Sequence, residues 1–267
     1  MTFNIKKKDL DKDFNKNELN NPVCIQGMPG IADVGKLSID NLTKNLNATK
    51  IMDITFDDYP AGAIINESLL YVPKVEIYFW KDPQGKNDLF FITADAQPMS
   101  PRGIYALSEY ICDLLAEFKV TQVITLGAQP VEKINGKGPK VFVTATSQEL
   151  LDKFEKLDNV EKIGKGVVLG VNGLVPTFAK RNHNIDGVVL LAETNGFQAM
   201  NGDSYDIRAS IKLLETLNQK FEFPLKSEYT EAKIQGLEAK LGKEKETLKK
   251  ELGINKKENN INLDLYC

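Results

Sequence analysis

From Pro22 to about Pro224, short apolar runs bounded by turn residues alternate with stretches whose apolar positions recur every three to four residues. The runs predict strands at Val23–Gln26, Lys50–Phe56, Ala63–Ile65, Val75–Trp80, Leu89–Ala94, Gln122–Leu126, Val141–Ala145, Val167–Val171 and Val188–Ala192. The turn Asp82-Pro83-Gln84-Gly85-Lys86-Asn87 separates two of them, so Val75–Trp80 and Leu89–Ala94 should form an antiparallel hairpin. Helices are expected at Val34–Leu46, Gly103–Phe118, Gln148–Leu157, Leu174–Arg181 and Ser204–Lys220, the last capped by Asp203. The second carries Ile104, Leu107, Ile111, Leu114, Leu115 and Phe118, an apolar stripe of helical period. Strands alternating with helices call for a three-layer α/β/α domain around a mixed sheet, over residues 21–224.

Outside that body the rhythm changes. Residues 1–20 are polar, rich in Lys, Asn and Asp, and read as a loose segment. Residues 225–253 are dense in Glu, Lys and Leu, with Ile234, Leu237, Leu241, Leu248 and Leu252 marking a narrow apolar seam along a helical arm that Gly253 can end. Gly236 and Gly242 weaken the arm, and its seam suits either self-pairing or folding back on the domain. Residues 254–267 read as a flexible, Asn- and Lys-rich tail; fully extended it reaches about 45 Å at ~3.3 Å per residue.

The tail ends in Leu265-Tyr266-Cys267. An apolar side chain, a rigid aromatic with one polar handle and a terminal carboxylate form a docking signal: a pocket takes the first two, a cation or backbone N–H nest the third. Three residues match so loose a pattern by chance in roughly one protein in a hundred. Their weight therefore depends on what precedes them.

Composition removes several function classes. The 267 residues carry a net charge of −3, which gives no basic field for nucleic acid or anionic lipid. Cys24, Cys112 and Cys267 share no C-x-x-C spacing and point to reduced thiols in a cytoplasm-like compartment. Neither an apolar leader at the N-terminus nor a run of 18 apolar residues occurs, so no membrane role is expected.

Candidate chemistry is sparse. Gly27-Met28-Pro29-Gly30-Ile31-Ala32-Asp33-Val34-Gly35-Lys36 follows a strand and opens a helix, as a phosphate-binding loop does. Leu37 stands where that motif needs a magnesium-binding hydroxyl, and Asp33 adds negative charge. A tight strand-to-helix turn, with Gly27, Pro29, Gly30 and Gly35 structural, is the simpler reading. His183 is the single histidine, no Gly-x-Ser-x-Gly elbow is present, and a zinc site is not expected. Asp95, Glu193 and Asp203 lie near strand ends, where α/β proteins bind ligands, but carboxylates there more often cap helices or loops. Arg102 reads as a solvated surface charge.

The ordered set of segments resembles the proteasome-assembly-chaperone family. It comprises strand-Gly-x-Pro-Gly-x4-Gly at Gly27–Gly35, Pro60 and Pro73 around a short strand pair, and Asp95-Ala96-Gln97-Pro98. Leu126-Gly127-Ala128, Gly170-Val171-Asn172-Gly173-Leu174, Glu193-Thr194-Asn195-Gly196 and Asp203 follow in order, with Ala128 where a second glycine is expected. The resemblance spans about residues 20–220. It implies a phosphorylase/hydrolase-like fold, no enzyme activity, no cofactor, and a homo-oligomeric platform. It also implies that Leu265, Tyr266 and the Cys267 carboxylate enter pockets between α-subunits of the 20S proteasome, as archaeal members with a hydrophobic-Tyr-X tail do. The alternative is a nucleotide- or small-molecule-binding enzyme built around Gly27–Gly35.

Overall fold

The computed structural model describes residues 3–134, 138–196, 205–224, 234–240 and 243. Eleven strands and five helices run in the order β1 (Ile5–Asp9), β2 (Val23–Gln26), α1 (Val34–Leu46), β3 (Thr49–Phe56), β4 (Ile64–Asn66), β5 (Leu69–Tyr71), β6 (Lys74–Trp80), β7 (Leu89–Ala94) and α2 (Pro101–Glu117). β8 (Gln122–Val131), β9 (Val141–Ala145), α3 (Gln148–Glu155), β10 (Val160–Lys162), α4 (Val171–His183), β11 (Asp186–Asn195) and α5 (Ile207–Phe221) follow, and a 3-10 turn at Ile31–Asp33 precedes α1. Residues 234–240 of the expected arm are helical.

Nine strands form one sheet in the order β1-β3-β6-β7-β2-β8-β11-β9-β10. The centre is parallel, β7, β2, β8 and β11 all pointing one way. The flanks reverse: β6 is antiparallel to β7, β3 to β6, and β9 to β11, so the sheet is mixed. Helices cover both faces. Val34, Ile39 and Leu42 of α1, Leu150 and Phe154 of α3, and Leu213 and Leu217 of α5 join Val23, Ile25, Phe91, Ile124 and Val188 in one core. Leu107, Ile111 and Leu115 of α2 and Val175 and Phe178 of α4 join Cys24, Phe90, Ile92 and Val123 in the other. Alternate residues of β2 therefore serve opposite cores, and all four are buried, as a central strand between two helical layers requires.

Local chemistry explains the element ends. Ser100 accepts the Gly103 N–H at 3.0 Å and Pro101 opens α2. Asn47 closes α1 in the left-handed conformation. The hairpin β6–β7 is antiparallel, from Trp80 opposite Leu89 to Val75 opposite Ala94.

Three expectations need correction, and one expected strand stands outside the main sheet. Ile5–Asp9, read as part of a loose segment, is an antiparallel edge strand on β3, with its lysines at the sheet border. The run expected as a strand at Ala63–Ile65 is β4, and it pairs only with β5 in a separate two-stranded sheet. Val167–Val171 forms no strand: β10 already borders β9, and the chain crosses back unpaired to begin α4 at Val171. The cap on the last helix is Asp206, whose carboxylate accepts the Ala209 N–H at 2.9 Å; Asp203 lies outside the described residues. Leu265, Tyr266 and Cys267 also lie outside them.

Candidate functional site at the carboxyl end of the sheet

The glycine turn sits at the carboxyl ends of β2 and β7, beside β8 and β11, which run on past it to Val131 and Asn195. A Cβ on Gly27 would stand 2.1 Å from the Gly35 carbonyl oxygen, and one on Gly35 would stand 2.3 Å from the Leu126 oxygen of β8. Backbone atoms cannot yield as side chains do, so the two glycines let α1 lie directly on β2 and β8. Between them Ala32 and Asp33 adopt left-handed φ values of 50° and 48°. The Ala32 carbonyl accepts the Asp206 N–H at 3.0 Å, tying the turn to α5.

An amide seam joins this turn to α4. Asn172 Oδ1 accepts from Gln26 Nε2 and from the Met28 N–H, each at 3.2 Å. Gln97 Nε2 donates to the Pro29 carbonyl at 2.7 Å, while its Oε1 accepts the Val171 N–H at 3.1 Å. Thr93 and Thr125 hydroxyls donate to the carbonyls of Gly27 and Asn172 at 2.9 and 2.7 Å. Sequence reasoning missed Gln26, Gln97 and Asn172. Gln97 and Asn172 lie inside segments that carried the resemblance, yet nothing in their spacing shows that they meet.

The loop is poorly made for phosphate. Three of its N–H groups are occupied: Gly27 bonds the Ile92 carbonyl at 2.9 Å, Met28 bonds Asn172, and Gly30 bonds the Asp33 carboxylate at 3.3 Å. Lys36 turns to Asp40, 3.3 Å away along the helix, instead of into the loop. A nucleotide would have to displace these partners and meet the Asp33 charge.

Other candidate groups are dispersed. His183 Nε2 lies 2.9 Å from Asp113 at the end of α4, next to the amino end of β11 and so at the opposite end of the sheet from the turn. Asp95 accepts the Lys74 N–H at 3.1 Å; burial pushes its carboxyl up. Glu193 accepts the Lys140 N–H at 3.0 Å, bracing the approach to β9. Three strand spacings of ~4.8 Å separate β7 from β11, so Asp95 and Glu193 are about 14 Å apart, too far to share a substrate bond. Cys24 and Cys112 are buried, and burial pushes the Cys112 thiol up to about 12. Arg102 stacks over the Phe3 ring, 5.7 Å from its centroid. Among the described residues, no cluster of His, Cys, Asp and Glu suits a metal, and no helix is long and apolar enough to cross a membrane.

What this end does present is apolar surface. Ile31, Met99 and Tyr205 are exposed around the turn, with the β4–β5 hairpin on one flank and Leu169 on the other. Strand ends that hold a ligand in many α/β proteins are here closed by amides and ringed by apolar side chains.

A nine-stranded mixed sheet between two helical layers, with a glycine turn on its carboxyl end, defines the class. The chain belongs to the PAC2 family, whose family model matches residues 24–244. Among solved structures it is similar to Pyrococcus furiosus PbaB, an archaeal proteasome activator: 25% identity, covering 93% of this chain and 98% of that one, TM-score 0.74. Pyrococcus furiosus PbaA, an archaeal homolog of proteasome-assembly chaperone, shares the fold at 24% identity over 88% of this chain and 92% of that one, TM-score 0.69. A Methanocaldococcus jannaschii relative, uncharacterized protein MJ1210, is 28% identical over 221 residues, 82% of this chain and 81% of its own.

Proposed function

We propose that this chain is a non-enzymatic proteasome-binding protein that docks on the α-subunit ring of the 20S proteasome through Leu265, Tyr266 and the carboxylate of Cys267. The carrying observation is that hydrophobic-Tyr-X sequence on a PAC2-family domain similar to an archaeal proteasome activator. Leu265 and Tyr266 fill an apolar pocket between adjacent α-subunits, and the main-chain carboxylate pairs with a lysine there. The folded domain serves as the platform, in the cytoplasm with the particle it serves. Bonded loop N–H groups, the Lys36–Asp40 pair and the separation of Asp95 from Glu193 all favour this over the enzyme reading.

The test is capture of 20S particles by the immobilised full chain. Truncating an aromatic anchor in a desolvated pocket costs ~2 kcal/mol, about thirtyfold per site, so Tyr266→Ala should release the particle. One residue appended after Cys267 should do the same by moving the carboxylate. Cys267→Ala should bind like the parent, because only the main chain of that residue takes part. Parental binding by both Tyr266→Ala and the extended chain overturns the docking reading.

A further inference from the structure

At the amino end of the sheet, opposite the glycine turn, a cleft of about 270 Å³ opens between α3 and the last turn of α5. Its floor holds the first residues of three parallel neighbours, Val23 of β2, Gln122 of β8 and Asp186 of β11, side by side in register. Lys153 enters from α3 and Lys220 from α5. An apolar cavity of ~150 Å³ holds one benzene, so this cleft takes a molecule of about ten non-hydrogen atoms.

The charges around the cleft are poorly matched. Lys220 Nζ lies over the Phe154 ring, 4.9 Å from its centroid, a weak cation–π contact, and it makes no ion pair with the described residues. Burial pushes its ammonium below the usual lysine range, and the nearby Lys153 lowers it further. Among the described residues Lys153 pairs only with Glu149, one helical turn back at 2.7 Å, and that pair is open to water and therefore weak. Asp186 also lines the cleft, but its Oδ1 is 2.9 Å from Lys180 Nζ, so its charge is already answered. The Gln122 Nε2 is closed off from solvent and finds no acceptor among the described residues. A buried N–H donor left unmatched costs free energy, and so do two converging ammoniums. One negatively charged acceptor relieves both.

We propose that this cleft binds a small polar anion whose carboxylate or phosphate group sits between Lys153 and Lys220 and accepts from Gln122 Nε2. Asn21, Asn87 and Thr121 also line the cleft, and they suit a ligand body carrying hydroxyl or amide groups. Because one lysine comes from each helix, the bound anion ties α3 to the end of α5. The site goes beyond proteasome docking: it uses no residue of the tail.

Thermal melting of the full chain reads the binding, with inorganic phosphate, glycerol phosphate and succinate as probes and sodium chloride at equal ionic strength as the reference. A probe at about ten times its dissociation constant should raise Tm by roughly 3–6 °C over that reference. Lys220→Met, which keeps an unbranched stem over Phe154, and Lys153→Met should each weaken the probe roughly tenfold or more, as loss of a charge-assisted hydrogen bond does. Lys156→Met, at an exposed lysine outside the cleft, should leave binding unchanged. Saturation by the two phosphates alone assigns a phosphate-bearing ligand, and saturation by succinate alone a carboxylate. If Lys220→Met fails to fold, Lys153→Met decides, because Lys153 is exposed. No shift beyond chloride with any probe, or binding that the lysine variants of the cleft retain, overturns the proposal. An equal loss in Lys156→Met reduces the effect to screening of surface charge and overturns it as well. These changes leave the tail intact, so proteasome capture is scored separately and the two readings fail independently.

Discussion

At Gly35 a single hydrogen in place of a methyl sets how near α1 lies to β8. A Cβ there meets the Leu126 carbonyl oxygen at 2.3 Å, and since that oxygen belongs to a central strand, the helix must move. Gly35→Ala should cost about 3 kcal/mol, at the upper end for overpacking a close contact. Gly62→Ala is the control: no atom lies within 4 Å of its Cβ position, and its effect should stay within ~0.5 kcal/mol. Urea denaturation of the two variants decides; equal midpoints would mean that the close approach carries no energetic weight. Sequence shows that Gly27 and Gly35 are eight positions apart, but not that they touch. The amide seam is harder still to read. Gln26, Gln97 and Asn172 are ordinary polar residues in the sequence, and only the parallel pairing of β2 with β7, with the first turn of α4 set against their carboxyl ends, brings their amides together.

Elements with a strong period were legible. β2, β7, β9 and α1 have the bounds that their apolar patterns predict, because central strands and amphipathic helices write burial directly into sequence. Edges are where pattern fails. β1 reads Ile-Lys-Lys-Lys-Asp and has almost no apolar content to detect, since one sheet border needs little burial and lysine protects it. Val167–Val171 fails the other way: its residues suit a strand, but no neighbouring strand is free to pair with it. The start of α5 shows a third difficulty. The pattern points to Asp203 as the cap, but the described helix uses Asp206, which also accepts from the Thr194 hydroxyl at 2.7 Å. Asp206→Ala should therefore cost about 1–2 kcal/mol as an N-cap loss, a fall of roughly 2–8 °C in Tm for a chain of this size. Asp206→Asn should keep most of it, since asparagine caps nearly as well. A melting curve for Asp206→Ala that overlays the parent would assign the cap elsewhere.

For the whole molecule, the body and the tail answer to different forces. Two cores, one on each face of the sheet, form among the described residues, and Ile234 of the arm packs on Ile207 and Ile211 of α5. Arg208 of α5 also pairs with Glu238 at 2.9 Å, so the described part of the arm's seam folds back on the domain. Deleting residues 254–267 should thus leave the melting temperature nearly unchanged. Binding should behave otherwise. One tail of three docking residues is a weak ligand, whereas tails linked on one particle gain roughly 10²–10⁴ in avidity if geometry lets them dock together. A free peptide of the last 14 residues should therefore compete only weakly with the full chain. Fusing those 14 residues to an unrelated trimer through a flexible linker should recover much of the difference. If instead the trimeric fusion binds the proteasome no more tightly than the free peptide, multivalency contributes nothing, and a single tail or another surface of the body must carry the affinity.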